Sequence, residues 1–112
     1  MPKKKTASVV GTWHIYEMEL WDEEYFNMEV KAYITINQRG RGDFQFGLVS
    51  GGLTGAFSRY GDTDRFDFTW EGNDECDEAL GSGWLTLKSS DEVAGSIGLL
   101  GGDRSAFAAR RA

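Results

Sequence analysis

The sequence predicts an all-β protein: a single up-and-down antiparallel meander of about eight strands, closed into a small barrel. Short runs alternate between apolar and polar residues, which is the period of a strand with one covered face. Glycine clusters separate the runs, and 15 glycines against one proline suit turns and barrel bends. Because no long amphipathic helix is available to cover the apolar faces, we expect the sheet to close on itself. A two-sheet sandwich is the alternative.

The alternation places the strands at 10–20, 31–37, 42–49, 53–59, 64–71, 83–88, 92–99 and 104–110. Short loops rich in glycine, serine and aspartate join successive strands, so neighbours in sequence should pair. These turns are expected at 38–42, 50–52, 60–64, 89–91 and 101–103. A turn of helix is expected only at 22–27. The predicted lining holds the aromatic residues Trp13, Phe44, Phe46, Phe57, Phe66, Phe68, Trp70 and Phe107.

Length and charge narrow the class of protein. The 112 residues predict one barrel domain at 9–112, preceded by a flexible lead at 1–8. A net charge of -6 argues against nucleic acid as a partner, because phosphate binding needs a basic surface. No apolar run approaches the ~20 residues of a membrane span, so no membrane is expected. Cys76 has no second cysteine to pair with, and we predict a cytoplasmic location.

The sequence predicts no metal and no cofactor. His14 is the only histidine, which excludes a site with two histidine ligands and argues against a catalytic triad. The acidic stretch 73–78, read as a loop between strands, lacks the ligand spacing of an EF-hand. The glycine-rich segments 51–55 and 95–102 lead into no helix that could hold a phosphate.

The acidic first strand is the best candidate for a binding site. If Trp13 faces inward, strand alternation sends Glu17 and Glu19 to the same side. Such a carboxylate pair favours a cationic ligand or acid–base chemistry. The predicted ligand site at the barrel mouth comprises Glu17, Glu19, Trp21, Tyr33 and Trp70. Alternatively, the carboxylates are solvated at the rim or pair with an arginine, the choices being Arg39, Arg59 and Arg65.

The opposite face of the first strand is mostly apolar and predicts an interface. With the carboxylates inside, His14, Tyr16, Met18 and Leu20 point outward, and an exposed patch of this kind marks a protein contact. We therefore expect a homodimer. The reversed register would expose Trp13 and Trp21 instead, and would equally leave apolar side chains outside.

The opening Gly11-Thr12-Trp13 resembles the start of the first strand in the calycin superfamily, the lipocalins, fatty-acid-binding proteins and avidins. That resemblance implies a barrel in which the tryptophan plugs one end. The polar residues with which avidins bind biotin are replaced by Ile15, Glu17 and Glu19, so biotin is not expected. The stretches 11–22, 70–75 and 102–107 resemble a group of small bacterial proteins without an established activity, which implies a bacterial cytosolic protein.

Three functions remain open. The first is a barrel that binds a small apolar or cationic ligand at its mouth. The second is a non-catalytic structural or interaction module with a filled barrel that works as a homodimer. The third is an enzyme that uses the carboxylate pair. An interior cavity above ~300 Å³ would favour the first, and an interior filled by its aromatic rings would favour the second.

Overall fold

A computed structural model describes residues 8–61 and 63–112 of the chain. The elements in chain order are β1 Gly11–Met18, α1 Glu23–Phe26, β2 Tyr33–Ile36, β3 Arg41–Phe46, β4 Val49–Tyr60, β5 Thr63–Asp74, β6 Asp77–Ser89, β7 Glu92–Leu99 and β8 Arg104–Arg111. Each strand pairs antiparallel with the next, and β8 returns to β1 to close the barrel. The predicted up-and-down barrel is confirmed. The predicted lead at 1–8 lies outside the described residues except for Ser8.

The interior is packed with aromatic and branched side chains. Trp13, Phe46 and Phe66 are fully buried, and Phe44, Phe68, Trp70 and Phe107 are at most 5% exposed. Glycines on the neighbouring strands make room for the largest rings. A β-carbon at Gly51 or Gly81 would press on the Trp70 ring. The predicted inward aromatic set is therefore confirmed, apart from Phe57.

Phe57 is 43% exposed, so its predicted burial is wrong. The cause is the length of the β4–β5 hairpin. Pairing between β3 and β4 ends at Arg41 and Thr54, so the rest of β4 has no β3 neighbour to cover it. Phe57 is left at the edge of the core, where its ring packs against Phe66 at 4.9 Å between centroids.

A β-bulge interrupts the first strand. Ile15 lies opposite Ala109 and Glu17 lies opposite Ala108, so Tyr16 is an extra residue in β1. The alternation of side chains between the inner and outer faces changes phase at Tyr16, because one unpaired residue shifts every later side chain of the strand to the other face. Met18 is therefore buried at 7% exposure, and Glu17 is exposed. The predicted inward direction of the carboxylates and the outward direction of Met18 are both wrong.

Two turns also differ from the prediction. Ser50, Gly51 and Gly52 lie within β4, and the chain reverses at Gly47 and Leu48 instead. Gly47 has φ +58, a conformation that favours glycine. The acidic segment 73–78 is no open loop, because its ends belong to β5 and β6 and only Glu75 and Cys76 form the turn.

Candidate functional site

The end of the barrel at which β1 begins, called here the Trp13 end, is closed by side chains. The indole Nε1 of Trp13 donates to the Val9 carbonyl at 2.8 Å. The Arg111 guanidinium lies 4.2 Å from the centre of the Trp13 ring. Arg111 also donates to the carbonyls of Ser8, Val10 and Ser90. This arginine thus ties the segment before β1 and the β6–β7 turn to the last strand.

A groove of about 250 Å³ remains beside this closure, with Phe57 in its wall. The charged side chains that line it already have partners. Asp64 pairs with Arg59 at 2.9 Å, and Arg65 pairs with Asp67 at 2.9 Å. The groove therefore offers a ligand little unpaired charge from these residues.

The opposite end, called here the helix end, is covered by α1. The Asp22 side chain accepts from the Tyr25 amide and so caps the helix at its predicted position. Phe26 is fully buried, and its carbonyl accepts from the Gly47 amide. The Trp21 ring packs on Phe46 with 5.2 Å between centroids. Both ends of the barrel are therefore occupied by its own side chains.

The residues predicted to bind a ligand at the mouth do not come together. Trp21 lies half-buried at the helix end. Tyr33 pairs with His14 on the outside of the sheet. Trp70 is buried in the core, where its Nε1 donates to the Gly98 carbonyl at 3.1 Å. A mouth lined by all five predicted residues is therefore not formed.

Glu17 and Glu19 do lie together, but on the outer surface. They line an open groove of about 230 Å³ with Ala106, Phe107 and Ala108. The Glu19 carboxylate accepts from the Ala106 amide at 3.3 Å. Both glutamates are exposed, so water solvates their charge. The alternative of solvated carboxylates describes their position better than the predicted interior pair.

Tyr16, one of the predicted interface residues on β1, makes polar contacts within the chain. The Tyr16 hydroxyl donates to Glu92, and the Arg110 guanidinium lies 4.1 Å from the Tyr16 ring centre. The bond to Glu92 raises the pKa of Tyr16, and burial adds to that rise. Burial, followed by the nearby Asp43 charge, raises the pKa of Tyr33.

Of the predicted interface residues, Leu20 is an exposed apolar side chain, at 48%. His14 is half-buried, and its Nδ1 is a buried side-chain nitrogen without a hydrogen-bond partner among the described residues. Met18 is directed into the core by the bulge. This face therefore lacks the continuous apolar patch that the sequence predicted.

A more apolar surface, which the sequence analysis missed, lies outside β4–β8. Leu80 is 50% exposed and Leu100 is 77% exposed, and the Leu100 amide donates to the Leu80 carbonyl. We call this surface the Leu80 face. It comprises Gly52, Thr54, Thr69, Glu71, Leu80, Ser82, Gly98, Leu100 and Arg104. The predicted strands leave residues 72–82 as connecting chain, so the predicted alternation does not extend to Leu80. Extending the period of β6 backward from Leu85 would have placed it outside.

The chemistry available to the described residues is limited. No group of three or more histidine, cysteine, aspartate or glutamate side chains among them is arranged to hold a metal ion. Cys76 is exposed in the β5–β6 turn. Within the same described part of the chain, no helix has the length and apolar character needed to cross a membrane.

Together the fold and the surfaces define a class: a small, closed eight-stranded β-barrel whose interior is occupied by its own side chains. Comparison of the chain with family models, with curated proteins and with solved structures finds no match.

Proposed function

We propose that the protein is a non-catalytic interaction module that works as a homodimer. The observation that carries this proposal is the filled interior. Aromatic and branched side chains occupy the core, Trp13 and Arg111 close one end, and α1 covers the other. Small-molecule sites are typically concave and bury most of the ligand. The grooves described above are open and lie outside the core, which favours a protein partner over an enclosed ligand.

Exposed apolar side chains support self-association. Leu80 and Leu100 stand out from the sheet surface, and a monomer gains nothing from holding them in water. A stable homodimer needs roughly 800 Å² of surface per partner. The accessible surface of the described chain is 6752 Å², so the sheet exterior can supply that area.

Sedimentation equilibrium together with native mass spectrometry tests the proposal. A homodimer is expected, with a mass twice the 12.5 kDa of the chain. Native spectra also report any small molecule that copurifies with the protein. A strict monomer at concentrations up to about 100 µM, where even weak specific complexes form, would overturn the proposal.

A second candidate function is the binding of a small cationic ligand, and the groove of Glu17 and Glu19 favours it. Two exposed carboxylates beside small alanines give an organic ammonium group room to approach. A titration with n-butylamine, followed by the amide NMR signals of Ala106 and Ala108, tests this function. Saturable shifts that vanish in Glu17→Gln/Glu19→Gln support it. Linear shifts that persist in that variant contradict cation binding. They also contradict the hypothesis of an enzyme that uses this carboxylate pair.

We further propose a calycin-like class and a bacterial, cytoplasmic origin. The support for the class is Trp13, buried at one end of an eight-stranded barrel after Gly11. The support for the origin is the sequence resemblance to small bacterial proteins, and an unpaired Cys76 suits a reducing compartment. Fractionation of bacterial cells that express the protein tests the location, and recovery of the protein in the membrane or the periplasm contradicts it.

A further inference from the structure

We propose that the second copy of the chain docks on the Leu80 face, in a two-fold contact whose axis runs parallel to β6. This inference rests on the proposed homodimer and adds the interface and the residue pairs that hold it. Leu80 is the central residue of this contact. Glu71 and Arg104 are the charged residues that set its register.

The shape of the Leu80 face fits a copy of itself. Leu80 stands between two open grooves of about 280 and 360 Å³, and its side chain lines both. Glycines and small hydroxyl residues form much of their walls, so a second sheet can approach closely. A leucine that stands beside an open groove lets a second copy seat its own Leu80 there, and a two-fold interface requires such self-complementarity.

The charges of the two grooves are opposite. Glu71 lines the groove toward β4, and Arg104 lines the groove toward β8. A two-fold axis parallel to β6 and between β6 and β7 exchanges β5 with β8. It therefore places Glu71 of one subunit opposite Arg104 of the partner subunit, and it does so twice. An axis across the strands would instead place like charges opposite one another, and their repulsion disfavours that arrangement.

Arg104 is held in place before any partner arrives. Its guanidinium donates to the Ser82 hydroxyl at 2.8 Å and to the Ser96 hydroxyl at 3.2 Å. A side chain that is already ordered loses less conformational entropy on binding. The contact to Glu71 of the partner subunit can therefore form without rebuilding the surface.

Leu80→Asp tests the centre of the interface, and Leu20→Asp is its matched control. The two leucines are 50% and 48% exposed, so both variants should fold alike, which far-UV circular dichroism checks. Loss of a central apolar anchor should raise the dimer dissociation constant by at least about thirtyfold. The control should leave that constant within about threefold of the wild-type value. If Leu20→Asp dissociates the dimer and Leu80→Asp does not, the interface lies around Leu20, just after β1, and the inference is wrong.

A charge exchange tests the predicted pairing. Glu71→Arg and Arg104→Glu should each weaken the dimer, because each places like charges opposite one another. Mixed in equal amounts, the two variants should form a heterodimer, since every facing pair is then of opposite sign. Native mass spectrometry resolves the heterodimer, and the double variant Glu71→Arg/Arg104→Glu should likewise dimerise. Glu29→Arg and Arg39→Glu, at exposed positions outside the Leu80 face, are the charge-matched controls.

The results separate this inference from the proposed function. A wild-type monomer refutes both. A wild-type dimer that survives Leu80→Asp and both single charge variants refutes only the Leu80 face. Single variants that dissociate but form no heterodimer when mixed refute the two-fold pairing. Should Leu80→Asp fail to fold, the mixing experiment still decides, because it requires only the exposed charges to change.

Discussion

Replacing Arg111 with methionine tests how the Trp13 end is held closed. The methionine keeps an unbranched apolar stem and removes the guanidinium. That group lies 4.2 Å from the centre of the Trp13 ring and donates to three backbone carbonyls. Its loss leaves the buried Trp13 with an uncovered ring face and frees the segment before β1 from the last strand.

The expected loss of stability follows from these contacts. A hydrogen bond from a charged donor contributes about 1.5 kcal/mol at the lower limit. The bonds to Ser8 and Val10 count in full, whereas exposed Ser90 can exchange its bond for water. A partly desolvated cation–π contact adds about 1 kcal/mol. We therefore expect Arg111→Met to lower the free energy of unfolding by about 4 kcal/mol.

Urea unfolding followed by far-UV circular dichroism measures this loss, and Arg110→Met is the matched control. The Arg110 guanidinium also lies over an aromatic ring, that of Tyr16, at 4.1 Å, but the residue is exposed on the outer surface. An exposed cation–π contact contributes about 0.5 to 1 kcal/mol, so the control should lose no more than that. Equal losses in the two variants, or a loss below about 1 kcal/mol for Arg111→Met, would refute the closure described here.

Two further predictions concern titration and backbone conformation. The pKa values of Tyr16 and Tyr33 are raised in the folded state. The stability that these neutral tyrosines contribute is therefore complete below the unfolded-state pKa of 10.0, and it is lost as pH rises through their folded-state pKa values. The urea midpoint should therefore fall above about pH 10, and the fall should be smaller in Tyr16→Phe; an identical fall in both proteins contradicts this. Gly47→Ala should destabilise by over about 2 kcal/mol, because φ is positive and the new methyl group would overlap the Tyr25 ring. Gly101→Ala, with positive φ and open space around it, isolates the backbone part at about 1 kcal/mol, and equal losses would show that the Tyr25 contact contributes nothing.

The sequence carried enough information to predict the barrel and most of its lining. Alternation is a property of residues that are adjacent in the chain, so Phe44, Phe46, Phe66 and Phe68 were placed inside without any knowledge of their neighbours. The helical turn at 22–27 was recognisable too, because Asp22 caps it with its own side chain.

The sequence predictions that are wrong involve glycine residues and the β-bulge at Tyr16. Ser50, Gly51 and Gly52 have the composition of a turn, yet Gly51 lies in β4, where a β-carbon would meet the Glu71 carbonyl and the Trp70 ring of β5. Local composition cannot distinguish a glycine that permits a turn from one that makes room for a cross-strand ring. The sequence therefore predicts the turn between β3 and β4 at 50–52, three residues after its observed start at Gly47.

What the sequence by itself determined is the order of the strands and the identity of the core, since both follow from local period and short turns. The tertiary structure alone decided where the first strand changes face. The Tyr16 bulge exists only through its register against β8, which is about ninety residues away in the chain. It moved Glu17 out of the barrel and Met18 into it. The grooves of the Leu80 face likewise depend on tertiary structure, because each is bounded by residues from at least three paired strands.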